Sequence, residues 1–255
     1  MKKRSTGIVV QARMGSSRLP GKMGRKFYDG KTLLEIVLER LKTESFGIPV
    51  VVATTEKSND NFIANASKKM GVPVFRGSED DVMARFIGAA EEHNFKTIIR
   101  ICADNPFIQP KYIRQLINYN EDLPSDYVGF RLNKKLPAIK THLGFFPERV
   151  ELEALKKIHG AGVSLFYREH VTNFFYSSDN KTFSIGWIDL DYEAIVVEQM
   201  RLTIDIDEDF EIADRLYQYF REQEIDDSDK NIIDYVKMQP LLLKNMKENI
   251  RENEK

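Results

Sequence analysis

The sequence predicts a three-layer α/β fold, in which helices cover both faces of a mainly parallel β-sheet. Short apolar runs alternate with amphipathic helical patterns through the first half of the chain, and such alternation is typical of βαβ units. A length of 255 residues with 42% hydrophobic content is sufficient for one packed domain. We find no internal repeat and no linker, so we predict a single domain over residues 1–255.

The first half of the chain carries clear signals for where its strands and helices begin and end. Thr32 and Glu35 have the spacing of a capping box, and Gly71 is suited to end a helix. We expect Ser78 to cap the third helix and Pro110 to begin the fourth. The predicted strands are residues 7–12, 48–55, 72–75 and 97–104, and the predicted helices are residues 31–42, 59–71, 78–93 and 110–119.

The second half is less regular, and residues 126–200 are predicted to form a smaller subregion of the same domain. Strands or extended segments are predicted at residues 125–130, 181–190 and 200–207. Helices are predicted at residues 147–158, 164–176, 208–223 and from 231 towards the end of the chain.

Composition limits the classes of partner. The 38 Lys and Arg nearly balance the 39 Asp and Glu, so no overall field attracts nucleic acid or an anionic membrane. One cysteine excludes an internal disulfide and fits a reducing compartment. The first apolar run is too short for a signal peptide, and no run reaches the roughly 18 residues of a membrane span. We therefore expect a soluble cytoplasmic protein that binds anions locally.

The opening loop, residues 11–22, has the sequence QARMGSSRLPGK and directly follows the first predicted strand. Open α/β sheets bind phosphates at this position. Gly15 allows backbone N–H groups to turn towards an anion, and Arg13, Arg18 and Lys22 supply the charge that a triphosphate requires. The loop is neither a Walker A nor a GxGxxG motif, because five residues separate Gly15 from Gly21 and Met23 follows the lysine. A solvated basic turn is the alternative.

Six segments together resemble the SpsF-like cytidylyltransferases and, more broadly, the CMP-sugar-acid synthetases, which include 3-deoxy-manno-octulosonate cytidylyltransferase and CMP-acylneuraminate synthetase. The resemblance implies a nucleotide-diphospho-sugar transferase-like fold and a homodimer. It also implies Mg²⁺-dependent transfer of CMP from CTP to an acidic sugar or related small acceptor in surface polysaccharide biosynthesis. The segments, in order between residues 7 and 213, are ARMGSSRLPGK, VVATT, VFRGSEDDVMARF, RICADNPFI, REHVT and RLTIDIDEDFEIA.

Three aspartates are candidate ligands for Mg²⁺, which binds one or two carboxylates together with phosphate oxygens and water. Asp104 follows a buried strand at the edge where such sheets bind ligands, although it could instead cap the helix at Pro110. Asp205 and Asp207 would share one face of a predicted strand and repel each other unless a cation lay between them. Their alternative is an acidic cluster at a helix N-terminus. The resemblance favours Asp104 and Asp205, and Asp207 matches an aspartate of the acylneuraminate branch.

The resemblance also implies roles for residues outside the aspartates. Arg76 is expected near the cytosine, where it could donate to the O2 atom. Arg168 and His170 are candidates for binding the acceptor, although a surface arginine and a packed histidine are equally consistent with the sequence. The catalytic candidates are Arg13, Lys22 and Asp104. The nucleotide-binding candidates are Ala12, Arg13, Gly15, Ser16, Arg18, Lys22 and Arg76.

We therefore expect a Mg²⁺-dependent cytidylyltransferase in which positioning and electrostatics carry the reaction. Three alternatives remain from sequence. A nucleotidyltransferase that uses another nucleoside triphosphate would share the loop and the fold. A GT-A-type glycosyltransferase would use the Asp-Ile-Asp triplet at residues 205–207. A non-catalytic protein could keep the same fold.

Overall fold

A computed structural model describes residues 5–44, 46–119 and 124–253. The strands of these residues are β1 (Thr6–Gln11), β2 (Val50–Thr55), β3 (Val74–Gly77), β4 (Thr97–Cys102), β5 (Tyr127–Leu132), β6 (Leu136–Pro137), β7 (Glu148–Glu151) and β8 (Ile185–Leu190). The helices are α1 (Leu33–Thr43), α2 (Asn61–Lys69), α3 (Val82–Glu92), α4 (Pro110–Ile117), α5 (Leu152–Gly160), α6 (Leu165–Glu169), α7 (Ala194–Gln199), α8 (Asp207–Glu222), α9 (Asp229–Lys237) and α10 (Pro240–Glu252). Short 3₁₀ turns lie at Lys22–Gly24, Ser58–Asp60 and Ala138–Lys140.

The strands form one sheet in the order β3-β2-β1-β4-β7-β5-β6, and β8 pairs with β5. Strands β1 to β4 are mutually parallel, as is the β5–β8 pair, whereas β7 runs antiparallel to both β4 and β5. Gln11 at the end of β1 is in register with Ala53 of β2 and Cys102 of β4. The carboxyl ends of these three strands therefore lie at one edge, and the opening loop leaves from its centre.

Helices cover both faces of the sheet, which confirms the predicted three layers. Ile8 and Val10 of β1 belong to a core shared with α1, α2, α4, α7, α8, α9 and α10. Val9 points to the other face, where it joins a second core built with α3, α5 and residues 171–175. The alternation along β1 follows from the two-residue repeat of a strand.

Most local end signals are confirmed. The Thr32 N–H donates to Glu35 Oε2 over 2.7 Å, and the Thr32 hydroxyl accepts from the Glu35 N–H, which completes the capping box. This backbone hydrogen bond from Thr32 also lowers the pKa of Glu35. Gly71 ends α2 with φ 71°, and Pro110 begins α4.

The prediction that Ser78 caps the third helix is wrong. The Asp81 carboxylate accepts the Ala84 N–H over 2.8 Å and is the cap of α3. The Ser78 hydroxyl instead accepts the Asp81 N–H over 3.1 Å, one turn earlier. The cap of α3 therefore lies three residues later than the sequence predicted.

The predicted helix over residues 147–158 begins as strand β7, and α5 starts only at Leu152. Pairing with both β4 and β5 overrides the helical pattern here. The predicted helix over 164–176 is limited to α6, followed by turns.

The predicted strand over residues 200–207 is wrong, since this segment is irregular as far as Ile206 and Asp207 begins α8. The Asp209 carboxylate accepts the N–H groups of Asp205 and Ile206 over 3.0 and 3.2 Å. Those donors are consequently not part of a strand ladder.

No helix of the described residues is long and apolar enough to cross a membrane.

Candidate active site

The opening loop folds back on itself beyond β1. Gly21 donates its N–H to the Met14 carbonyl over 2.9 Å and adopts φ 73°, a left-handed conformation that glycine enters without strain. The Ser16 hydroxyl accepts the Leu19 N–H over 3.2 Å. Ala12 is buried and donates its N–H to the carbonyl of Ala53 in β2 over 3.2 Å. The loop is therefore a closed turn that begins at the centre of the sheet edge.

Asp60, which the sequence analysis missed, fixes the loop to the end of β2. Its buried carboxylate accepts the Met14 N–H over 2.7 Å and the Thr55 N–H over 3.2 Å, and it also accepts the Thr55 hydroxyl. The only signal in the sequence is an aspartate at the start of a helix, which predicts a helix cap. Its actual partners lie 5 and 46 residues away in the chain.

Lys22 connects the opening loop to the segment after β4. Its Nζ atom lies 2.8 Å from Asp104 Oδ2 and donates to the Ile204 carbonyl over 2.6 Å. The Ile204 N–H in turn donates to the Asp104 carbonyl over 3.1 Å. Lys22 is only 7% exposed, so its ammonium is held by these two oxygens with little access to water.

Asp205 lies beside this contact and has two arginine partners. Arg18 Nη2 is 2.8 Å from Asp205 Oδ1, and Arg201 Nη2 is 3.3 Å from Asp205 Oδ2. We call the Lys22–Asp104 and Arg18–Asp205 contacts the inner ion pairs. They bring together two predicted phosphate ligands and two predicted metal ligands.

Arg201 is a second residue that the sequence analysis missed. It is fully buried, and its Nε atom donates to Asp209 Oδ1 over 2.7 Å. The Nη1 atom lies 3.0 Å from His142 Nδ1. Arg201 thereby holds Asp205 and the first turn of α8 in place, a role that the apolar pattern around it did not reveal.

Asp207 lies apart from the inner ion pairs. It forms an ion pair with Arg25, whose guanidinium lies 4.3 Å from the centre of the Phe210 ring. The predicted shared face of Asp205 and Asp207 is therefore wrong, because the segment is not a strand. Within the described residues, no group of three or more His, Cys, Asp or Glu side chains is arranged to hold a metal ion.

The REHVT segment, residues 168–172, borders the opening loop through Glu169. Arg13 Nη2 lies 3.3 Å from Glu169 Oε1. Arg168 is directed at Asp81, 3.3 Å from its Oδ2 atom, and the His170 ring packs at 4.8 Å from Phe166. The predicted acceptor residues thus lie on the segment that faces Arg13.

A buried carboxylate anchors the REHVT segment to the sheet. Glu148 of β7 accepts from Arg100, from the Tyr127 hydroxyl over 2.7 Å and from the Thr172 hydroxyl over 3.0 Å. Burial raises the pKa of the neighbouring Cys102 thiol to about 11, so this cysteine stays protonated at neutral pH.

Arg76 lies at the end of β3 and is bonded to protein acceptors. Its Nε and Nη2 atoms donate to the Thr55 and Lys57 carbonyls, each over 2.8 Å, and Nη1 donates to Asn61 Oδ1 over 2.6 Å. A Cβ atom on Gly15 would lie 3.0 Å from Glu79 Oε1. The opening loop therefore approaches the segment after Arg76 closely.

Arg85 of α3 is a third residue that the sequence analysis missed. It is 1% exposed, and its Nη1 atom donates to the Ser78 and Glu79 carbonyls over 2.6 and 3.0 Å. Burial and the nearby charge of Arg13 lower the pKa of Arg85 to about 10, so it remains charged at neutral pH. Its hydrogen bonds hold the segment that faces Gly15.

Comparisons with known proteins agree on one family. A family model described as "Cytidylyltransferase" matches residues 7–248. The spore coat polysaccharide biosynthesis protein SpsF of Bacillus subtilis is 33% identical over 216 residues, 83% of this chain and 85% of that protein. A 3-deoxy-manno-octulosonate cytidylyltransferase of Alteromonas mediterranea is 29% identical over 109 residues, 43% of each. The structure of a cytidylyltransferase from Leptospira borgpetersenii superposes with a TM-score of 0.81 at 31% identity, covering 95% of this chain and 98% of that one.

Proposed function

Because the chain belongs to the cytidylyltransferase family, we propose that it transfers CMP from CTP to a hydroxyl of an acidic sugar or related small acceptor. Family membership confirms the resemblance noted from the motifs, the nucleotide-diphospho-sugar transferase-like fold and a CTP-dependent nucleotidyltransferase activity. The observation that supports the finer proposal is the convergence of Arg18, Lys22, Asp104 and Asp205 at the carboxyl edge of the sheet.

In the proposed reaction the acceptor hydroxyl attacks the α-phosphorus of CTP. The new P–O bond forms as the bond to the oxygen that bridges the α- and β-phosphates breaks. Pyrophosphate leaves with the electron pair, and the hydroxyl proton passes to solvent. Arg13, Arg18 and Lys22 would hold the triphosphate and stabilise charge on the leaving group. Lys22 is well suited to this, because a nearly buried ammonium acts at a lower effective dielectric than one in water.

Mg²⁺ is the proposed cofactor, and the residues present fit it. Asp104 and Asp205 offer the carboxylate oxygens that this hard cation prefers. A cationic group, the Lys22 ammonium, already contacts Asp104 Oδ2 and the Ile204 carbonyl at 2.8 and 2.6 Å, so these oxygens suit a positive charge. When bound, the metal would neutralise phosphate oxygens. We leave Asp207 out of this ligand set because it begins α8 with a side chain that is 65% exposed, and it belongs to neither inner ion pair.

For the acceptor we propose an anionic compound bound between the opening loop and the REHVT segment. Arg168 pairs with the Asp81 carboxylate here, and arginine can bind such groups bidentately. An acceptor carboxylate could replace Asp81 as the partner of Arg168. His170 follows Arg168 by two residues in the same segment and would orient a hydroxyl.

The biological setting is also a proposal. The Bacillus subtilis relative is named for spore coat polysaccharide biosynthesis, which supports a role in surface polysaccharide biosynthesis for this chain. We propose a homodimer, as the resemblance implies, and a cytoplasmic location, on the basis of the composition. The glycosyltransferase alternative required Asp205 and Asp207 to act as a pair on one strand face, and the start of α8 at Asp207 removes that support.

The proposal is tested by measuring pyrophosphate release with CTP, UTP, GTP or ATP, with Mg²⁺ and a panel of sugar acids. We expect pyrophosphate release only when CTP is the nucleotide and a sugar acid of the panel is present. Asp104→Ala should remain folded, with a lowered melting temperature because Lys22 loses an ion-pair partner, and should lose turnover by about 10²-fold or more. If pyrophosphate is released only with a nucleotide other than CTP, the assignment of CTP is wrong. If Asp104→Ala turns over at nearly the wild-type rate, the assignment of Asp104 as a metal ligand is wrong.

A further inference from the structure

We propose that the inner ion pairs couple the binding of the nucleotide to the binding of the divalent cation. The phosphates of the nucleotide would bind the cationic residue of each pair, and the divalent cation would bind the aspartate of each pair. The inference rests on the proposed function, since it takes Arg18 and Lys22 as phosphate ligands and Asp104 and Asp205 as cation ligands. It concerns the state of these four side chains before either ligand binds.

The pairing is one to one between the two ligand sets. Lys22 contacts Asp104 and Arg18 contacts Asp205, both at 2.8 Å. In each pair one member is shielded: the Lys22 side chain is 9% exposed and the Asp205 side chain 12%. Water therefore screens these contacts less than those of fully exposed pairs.

A divalent cation that arrives alone must compete with an internal cation. To reach Asp104 it would displace the Lys22 ammonium, which would then keep the Ile204 carbonyl as its remaining contact among those described here. Separating a nearly buried charge from its partner is unfavourable, because the charge stays desolvated. The wild-type protein should therefore bind the metal weakly without a nucleotide.

A triphosphate that arrives alone meets the converse problem. Drawing Lys22 and Arg18 towards its phosphates would take the Lys22 contact from Asp104 and leave Asp205 with Arg201, while negatively charged oxygens come close to both carboxylates. A divalent cation between them removes this repulsion, while the phosphates provide the partners that Lys22 and Arg18 have lost. By linkage, the factor by which one ligand tightens the other is the same in both directions.

The first test measures Mn²⁺ binding to nucleotide-free protein by the electron paramagnetic resonance signal of free Mn²⁺. Lys22→Met removes the competing charge and keeps the length of a buried side chain, and Lys22→Gln serves if that variant does not fold. We expect either variant to bind Mn²⁺ about tenfold or more tightly than wild type. Adding Asp104→Asn to the same variant should abolish the gain.

Lys111→Met is the matched control. Lys111 and Asp229 form another lysine–aspartate pair, between α4 and α9, that contains none of the predicted site residues. Its removal should leave Mn²⁺ binding at the wild-type level. If the Lys22 variants bind Mn²⁺ no more tightly than wild type, or if Lys111→Met gives the same gain, the proposal is wrong.

The second test uses inorganic tripolyphosphate, which carries the charges of the nucleotide without its base. Wild type should bind it about tenfold or more tightly with Mg²⁺ than with a chelator, and Asp104→Asn should lose this dependence while binding it well in chelator. Equal wild-type affinity with and without Mg²⁺ would overturn the coupling. Coupled tripolyphosphate and Mn²⁺ binding without CTP turnover would instead overturn the proposed function alone.

Discussion

Asp205 and Asp207 are separated by one residue, yet the fold gives them opposite environments. The Asp205 side chain is 12% exposed and lies between Arg18 and the buried Arg201, whereas the Asp207 side chain is 65% exposed and pairs with Arg25. The difference arises because the chain enters α8 between them. Asp205 still belongs to the segment held by Asp209, and Asp207 begins the helix.

Ion pairs of the same chemistry contribute differently to stability according to how deeply they are buried. Each inner ion pair has one shielded member, and Arg201 is fully buried, so breaking these pairs leaves a charge with poor solvation. The Arg25–Asp207 pair has no shielded member, since the two side chains are 35% and 65% exposed, and it should contribute little. The sequence pattern makes both aspartates candidate metal ligands, and substitutions at these pairs can test whether their contributions differ.

The largest effect is expected for Arg201→Met, which removes the buried partner of Asp209. Because Asp209 is itself almost fully buried, its carboxylate would keep only backbone donors among the contacts described above. We expect the free energy of unfolding to fall by about 3–5 kcal/mol, measured by urea denaturation. A loss below about 1 kcal/mol would show that burial does not determine how much this pair contributes to stability.

An intermediate effect is expected at Asp60, a buried carboxylate held by backbone and hydroxyl donors. Asp60→Ala leaves the Met14 and Thr55 N–H groups without their acceptor, which should destabilise the protein by about 1–3 kcal/mol. Since Met14 belongs to the opening loop, the KM for CTP should also rise. Asp60→Asn keeps one acceptor oxygen and should recover part of both losses. A KM unchanged in Asp60→Ala would indicate that the loop does not depend on this anchor.

The smallest effect is expected for Arg25→Gln, which breaks the outer pair with Asp207. Both side chains are substantially exposed, so the free energy of unfolding should change by less than about 1 kcal/mol. Turnover of CTP should remain within about twofold of wild type if Asp207 is not a metal ligand. A large loss of turnover, in Arg25→Gln or in a matched Asp207→Asn variant, would place Asp207 back in the proposed site.

The sequence by itself determined the features that depend on neighbouring residues. The two-residue repeat of β1, the capping box of Thr32 and Glu35, the glycine end of α2 and the proline start of α4 all follow from local patterns. The position of Asp104 just after β4 follows in the same way, because the strand preceding it is apolar and β-branched.

Only the tertiary structure decided the features that depend on partners far along the chain. Strand β7 forms within a helical pattern because β4 and β5 lie on either side of it. Residues 200–207 do not form the predicted strand, and the Asp209 carboxylate accepts the N–H groups of Asp205 and Ile206. Asp60, Arg85 and Arg201 have polar side chains in segments whose local patterns predict only a helix start, a helix interior and a strand respectively. Their roles follow from which charges and donors the fold buries together, and no local pattern in the sequence contains that information.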